Sequence, residues 1–184
     1  MEESTQAHSR QLDRFLAEVE SKAFRIAQIG LRNEQDALDA VQDAMLKLVR
    51  NYAQRPAQEW RPLFYRILEN GIRDLQRHRT VRSRVMAWLP WNAETEDVDD
   101  PVKREPDPAP GPVAHLQGQQ AMTLLDAALG ELPARQRQAF LLRSFEGLDV
   151  EQTAQVMGCS EGSVKTHHFR AVQKLRARLG DCWQ

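Results

Sequence analysis

Apolar residues recur at helical spacing along most of the chain. Leu12, Phe15, Leu16, Val19, Ala23, Ile26 and Ala27 keep a three-and-four period, which predicts a helix from Arg10 to about Leu31 with residues 1–9 frayed. Asn33 or Asp36 caps the next helix. Ala37, Leu38, Val41, Ala44, Met45, Leu48 and Val49 give it a wide apolar face, opposed by Asp39, Gln42, Asp43, Lys47 and Arg50, with Leu46 near the edge. The pattern breaks at NYAQRPAQEWRP. A third helix is expected to open at Trp60, with Pro62 in its first turn, where a missing N–H costs nothing. It turns Leu63, Phe64, Ile67, Leu68, Ile72 and Leu75 inward, and Tyr65, Arg66, Asn70, Arg73, Gln76, Arg77 and Arg79 to other faces. Three helices of this size bury one small core, so residues 10–84 read as a first domain.

Residues 85–115 carry little apolar periodicity, and from Pro90 they turn acidic and proline-rich, the composition of an extended linker. A second helical domain follows over 116–184. Leu116, Gln119, Met122, Leu125 and Leu129 form one helix, ended by Gly130. Pro133 starts another, with Phe140, Leu141 and Phe145 buried and Gly147 ending it. The chain then reads DVEQTAQVMGCSEGSVKTHHFRAVQKLRARL. Asp149 and Gln152 make a capping-box pattern, Gly158 supplies a left-handed stop and Ser160 is a second N-cap. Val164, His168, Ala171 and Leu175 then line one stripe. Two short helices, a tight turn and a basic second helix are the pattern of a major-groove reader. No alternating strand pattern occurs, so the fold class is all-α: two small helical domains joined by a flexible acidic linker.

Composition narrows the function. The two cysteines, Cys159 and Cys182, form no metal-ligand spacing, and the simplest reading is a reduced, cytoplasmic chain. The polar start MEESTQAHSR carries no apolar signal core, and no apolar run is long enough for a membrane, so no membrane insertion is expected. No triad, phosphate loop or metal cluster is visible, which leaves no catalytic residue, metal or cofactor to assign. A net charge of −1 is awkward for DNA binding, whose affinity comes largely from phosphate neutralisation. The charges are segregated, however. Residues 73–84 hold five arginines against one aspartate, residues 163–178 hold five basic groups and no acid, and Glu94 to Asp107 hold seven acids. Two basic surfaces flank an acidic tether.

In order and content the chain resembles the extracytoplasmic-function (ECF) group of bacterial RNA polymerase sigma factors. ELPARQRQAFLLRSFEGLDVEQTAQVMGCSEGSVKTHHFRAVQKLR is similar to the family's fourth region, which binds the −35 promoter element. DALDAVQDAMLKLVRNY and WRPLFYRILENGIRDLQRHR resemble its second region, which binds core polymerase and opens the −10 element. The resemblance implies that Asp39, Gln42, Asp43 and Leu46 dock on core polymerase. It implies −10 contacts near Asn51 and Tyr52 and at Trp60, Tyr65 and Asn70, since rings and amides suit unpaired bases. Trp60 and Tyr65 are equally suited to a core. Arg66, Arg73, Arg77 and Arg79 are the expected phosphate contacts. Lys165, Thr166, Phe169 and Arg170 are implied as −35 contacts, with His167 and Lys174 beside them. Three departures stand out. Leu63 replaces a common tryptophan, Phe64 replaces a leucine, and His168 stands where the family has an aliphatic core residue.

The resemblance implies a detachable specificity subunit, monomeric when free. It would dock on core RNA polymerase, read duplex −35 DNA and trap melted −10 DNA. An anti-sigma partner is common in the family, and nothing in the sequence encodes one. The 31-residue linker from Val85 to His115 spans about 30 Å relaxed and on the order of 100 Å extended. Its acidic run either mimics nucleic acid in a basic channel or is a plain soluble tether. Trp88 and Trp91 either pack on the first domain or meet a partner. Two rivals are a stand-alone helix-turn-helix regulator, which needs a receiver domain the helical N-terminal half lacks, and a helical anti-sigma or adaptor protein, against which the basic recognition helix argues.

Overall fold

The computed structural model describes residues 2–86 and 112–180. Within them the order is α1 (Glu2–Leu31), α2 (Glu34–Tyr52), α3 (Ala57–Met86), α4 (Pro112–Glu131), α5 (Ala134–Phe140), a π-helical turn (Leu141–Phe145), α6 (Val150–Met157) and α7 (Glu161–Leu179). Among the described residues there is no strand, and no helix is long and apolar enough to cross a membrane.

The first three helices pack as a bundle because each carries a stripe of small and branched residues. Val19, Ala23, Ile26 and Ala27 of α1 meet Ala37, Val41, Ala44 and Leu48 of α2, and Phe64, Leu68 and Ile72 of α3 fill the remaining side. Alanines at the crossings let the backbones approach closely. The Asn33 side chain caps α2 by accepting from the Asp36 N–H at 2.8 Å. Two boundaries differ from the expectation. α1 begins at Glu2 because its first turns have something to hold: the His8 ring sits edge-on to Trp60 at 5.0 Å, and its Nε2 meets the Ala53 carbonyl. α3 begins at Ala57, a turn earlier than expected, so Pro62 lies inside the helix and denies a hydrogen bond to the carbonyl four residues before it.

In the second domain, Leu129, Leu132, Ala139, Phe140, Leu142, Leu148, Val156, Met157, Val164, Ala171 and Leu175 form the core. Helix α4 starts at Pro112, ahead of the expected His115, and runs through Gly130 to Glu131. The helix begun at α5 loosens into the π turn, where the Glu146 N–H reaches back to the Leu141 carbonyl at 2.9 Å. Gly147, at φ +83°, turns the chain sharply toward α6. The expected burial of Phe145 fails here: the π turn rotates its ring outward, leaving it 41% exposed. Asp149 and Gln152 form the reciprocal capping box at the start of α6, and Gly158 ends it in the left-handed conformation.

The two domains touch. α6 packs along α3, and α4 approaches α1. The acidic run of the linker, with Trp88 and Trp91, lies outside the described residues.

Candidate nucleic-acid interface

Helix α7 is built to show one face. Ser160 caps it, accepting from the Ser163 N–H at 3.2 Å. Val164, Ala171 and Leu175 are buried, and His168 continues their stripe half-buried. The imidazole lies nearly parallel to the Phe140 ring, centroids 6.2 Å apart, with Nε2 2.8 Å from the Ser144 hydroxyl. Burial, and then the nearby Arg143, hold it below the ordinary histidine range. His168 is thus a half-buried member of the packed stripe that has found a polar partner, with its charged form disfavoured.

The opposite face of α7 carries Lys165, Thr166, Phe169, Arg170 and Lys174, all exposed. Phe169 is 63% exposed, which a core role does not explain and which suits apolar contact with a thymine methyl. The Thr166 hydroxyl donates to the Gly162 carbonyl at 2.9 Å, so its methyl group is the more available part. Lys165 pairs loosely with Glu161 at 3.8 Å. His167 stands apart: it is half-buried, with Nδ1 enclosed and unpartnered.

On α3, Arg66, Asn70, Arg73 and Arg77 fall four, three and four residues apart, one continuous stripe. Arg66, Asn70 and Arg77 are exposed and Arg73 is half-buried. Asn51 is exposed at the end of α2. Tyr52 is half-buried, and its carbonyl accepts from the Trp60 indole at 3.3 Å. Two of the expected base contacts are corrected. Trp60 is 1% exposed under His8 and Phe15, and Tyr65 is 0% exposed against Phe64, so neither ring is available for stacking in this conformation. Arg79 is also diverted: it donates to the Leu31 carbonyl at 2.6 Å and pairs with Asp36, stapling the α1–α2 corner.

On α2, Asp39, Gln42, Asp43 and Leu46 are exposed together. Leu38 and Val49, expected in the core, are exposed beside them, which makes an apolar strip flanked by carboxylates. The signal was the width of the apolar face, broader than one packed side of a helix needs.

Sequence reading missed a polar seam between the domains. Glu69 accepts from Gln138 at 2.9 Å; its burial pushes the carboxyl up to about 7, against the pull of Arg73, Arg137 and Arg135. A cavity of about 230 Å³ lies here, lined in part by Glu69, Arg73, Arg135, Arg137 and Gln138. Burial, and then Arg32, hold the Arg137 guanidinium below its usual range. Arg25 pairs with Asp126, and Arg61 with both Glu18 and Glu146. Tyr65 lies in the same region, its acidity suppressed by burial first and by Glu146 second. Among the described residues no group of side chains is suited to a metal ion.

Residues 12–97 match the family model "Sigma-70 region 2" and residues 122–175 match "Sigma-70, region 4". The ECF RNA polymerase sigma factor EcfG of Rhodopseudomonas palustris is 32% identical over 91% of this chain and 83% of its own length. The chain belongs to the ECF sigma factors. The sigma factor SigV of Bacillus subtilis is 30% identical over 85% of this chain and 83% of its own. Two solved structures share the fold. One is the sigma factor RpoE of Bartonella quintana in complex with the anti-sigma factor NepR, with a TM-score of 0.63 at 21% identity, covering 98% of this chain and 99% of that one. The other is CnrH in complex with the cytosolic domain of CnrY, at 0.58 and 23% identity, covering 94% and 92%. This ECF sigma factor therefore directs promoter-specific transcription, and its two matched regions carry the candidate surfaces: α2 and α3 in the first, α7 in the second.

Proposed function

We propose that this sigma factor divides its work among three faces. The exposed strip of α2, with Asp39, Gln42, Asp43 and Leu46, docks on core RNA polymerase, and Leu38 and Val49 add apolar area to that contact. Lys165, Thr166, Phe169 and Arg170 of α7 enter the major groove at the −35 element, with Lys174 on a phosphate. Arg66, Asn70, Arg73 and Arg77 of α3, and Asn51, follow the separated −10 strand. The sigma factor carries out no covalent step itself; synthesis belongs to the polymerase, and the place of work is the cytoplasm. The observation that carries the reading is the outward face of α7. A 63% exposed phenylalanine amid lysine and arginine, on a helix capped and packed from behind, is a surface kept for a partner.

The same reading admits an anti-sigma antagonist. The Bartonella neighbour was solved with one, and such a partner would cover the α2 and α7 faces. Run-off transcription with purified core polymerase on a genomic library tests the proposal. New, specific start sites are expected with the wild-type chain. Arg170→Ala should lose roughly 1–3 kcal/mol of −35 recognition, and with it most of the product. No new start sites, or undiminished product from the variant, would sink the assignment.

A further inference from the structure

Three guanidiniums converge on the cavity in the seam. Arg73 of α3 and Arg135 and Arg137 of α5 line it, Ile26 and Ile72 add apolar wall, and Glu69 is the one carboxylate in the lining. A seam held by salt bridges would pair these charges, and this one leaves them apart. Glu69 accepts from the neutral Gln138 at 2.9 Å, and among the described residues no arginine comes into ion-pair contact with it. Arg135 uses one N–H on the Met157 carbonyl, at 2.6 Å. Arg137 is half-buried, and among the described residues its one hydrogen bond is a long one, 3.4 Å to the Gly130 carbonyl. Arg32 adds a further positive charge: its Nη2 lies so close to Gly130 that a Cβ there would collide with it. A half-buried cation without a counter-charge is costly, and the displacement of Arg137 below its ordinary range, by burial and then by Arg32, expresses that cost.

We propose that this cavity is a binding site for a compact dianion of the phosphate class, held between Arg73 of the first domain and Arg137 of the second with Arg135 beside them. Donor geometry sets the charge of the occupant, because arginine forks match the edges of a tetrahedral oxyanion. Volume sets its size. About 230 Å³ is below the roughly 300–1,000 Å³ of pockets for drug-sized ligands, so the occupant is inorganic phosphate, pyrophosphate or a short phosphorylated metabolite. Glu69 makes the site sensitive to protons. Ionised, it repels the anion; protonated, it donates a hydrogen bond to it. Its carboxyl is pushed up to about 7, so the two forms exchange near neutral pH. The groups facing it are Arg73 of its own helix and Arg135, Arg137 and Gln138 of α5, while α1 contributes only Ile26 and Gly30, which do not titrate. Anion binding therefore takes up a proton and tightens as pH falls. Since the walls come from both domains, the ligand bridges them and binds only the closed seam.

The test is isothermal titration calorimetry of the full chain with sulfate, which stays a dianion from about pH 6 to about pH 8, and with inorganic phosphate and pyrophosphate, at an ionic strength matched with chloride. Saturable one-to-one binding of sulfate is expected at the acid end, weakening toward the alkaline end by at most about tenfold per unit of pH, the limit for one linked proton. Arg137→Gln should weaken it about tenfold or more, the effect of losing a charge-assisted hydrogen bond. Arg14→Gln, which removes an exposed charge from α1 outside the cavity, should leave it unchanged. Glu69→Gln should bind sulfate at the alkaline end at least as tightly as the wild type and show no pH dependence. Circular dichroism checks folding, and Arg137→Lys, which keeps the charge and loses the fork, is the variant to read if Arg137→Gln does not fold. No saturable heat with any of the three anions, or equal weakening by Arg14→Gln, overturns the site. A pH dependence that persists in Glu69→Gln overturns the role of that carboxyl. A short single-stranded oligonucleotide that displaces sulfate, and is itself weakened by Arg137→Gln, would assign the cavity to a DNA phosphate and overturn a free anion as its occupant.

Discussion

His168 occupies a position where an aliphatic side chain would be simpler, and the surrounding residues fix its behaviour. Phe140 stacks on it, Ser144 bonds it and Arg143 is the charged neighbour. The unfolded chain takes up a proton on this imidazole near about pH 6.5, whereas the folded domain resists until lower pH. In that window the unfolded state binds more protons, so stability falls as pH drops. Thermal unfolding at about pH 7.5 and about pH 5.5 should show a larger loss of Tm for the wild type than for His168→Leu. Equal losses would mean that the imidazole is not the sensor. Glu69 works in the opposite sense. Its carboxyl is pushed up to about 7 from 4.5 in the closed seam, so the closed state holds the proton more tightly and closure strengthens as pH falls from 7 toward 4.5. The groups facing it are Arg73 from its own helix and Arg135, Arg137 and Gln138 from α5. Glu69→Gln should give a chain whose scattering dimensions no longer respond to acidification over that range; a persistent response would assign the proton elsewhere.

At the scale of elements, each helix has a second surface besides the one that packs. Period and caps were legible: the stripe of α7, the capping box of α6 and the glycine stop at Gly158 all stand as the spacing predicts. Features that depend on what lies across the molecule were not. Trp60 and Tyr65 occupy contact positions by sequence, yet one is held by α1 and the other sits against the seam. Leu38 and Val49 look like core by their type and lie outside it. Arg79 looks like a phosphate ligand and is used up on the Leu31 carbonyl. An amphipathic period gives the direction of a side chain and says nothing about which neighbour awaits it. The exposed strip of α2 provides a check at this scale. Leu38→Ser with Leu46→Ser should preserve helix content while weakening co-purification with core polymerase, and unimpaired association would remove α2 from the docking surface.

For the whole molecule, charge and connection matter together. The net charge is −1, and the two basic runs lie apart, on α3 and on α7. The free chain should therefore bind promoter duplex weakly, with core polymerase supplying most of the electrostatic attraction. Tight, specific retention of a promoter fragment by the isolated chain in a gel-shift assay would contradict this. Neutralising Glu94, Glu96, Asp97, Asp99 and Asp100 should weaken core binding or alter initiation if the tether imitates nucleic acid, and no change in either would reduce it to a spacer. The π turn ahead of Glu146 has a consequence for how such a chain changes over generations. A π-helical turn is an α-helix carrying one residue too many. Deleting a single residue from Leu141–Phe145 lets the segment rewind as an α-helix while the chain beyond it keeps nearly the same direction, because the wide turn and the ordinary one sweep about the same angle. Gain or loss of one codon here is thus a change the second domain can absorb, with no change to the residues that meet polymerase or promoter.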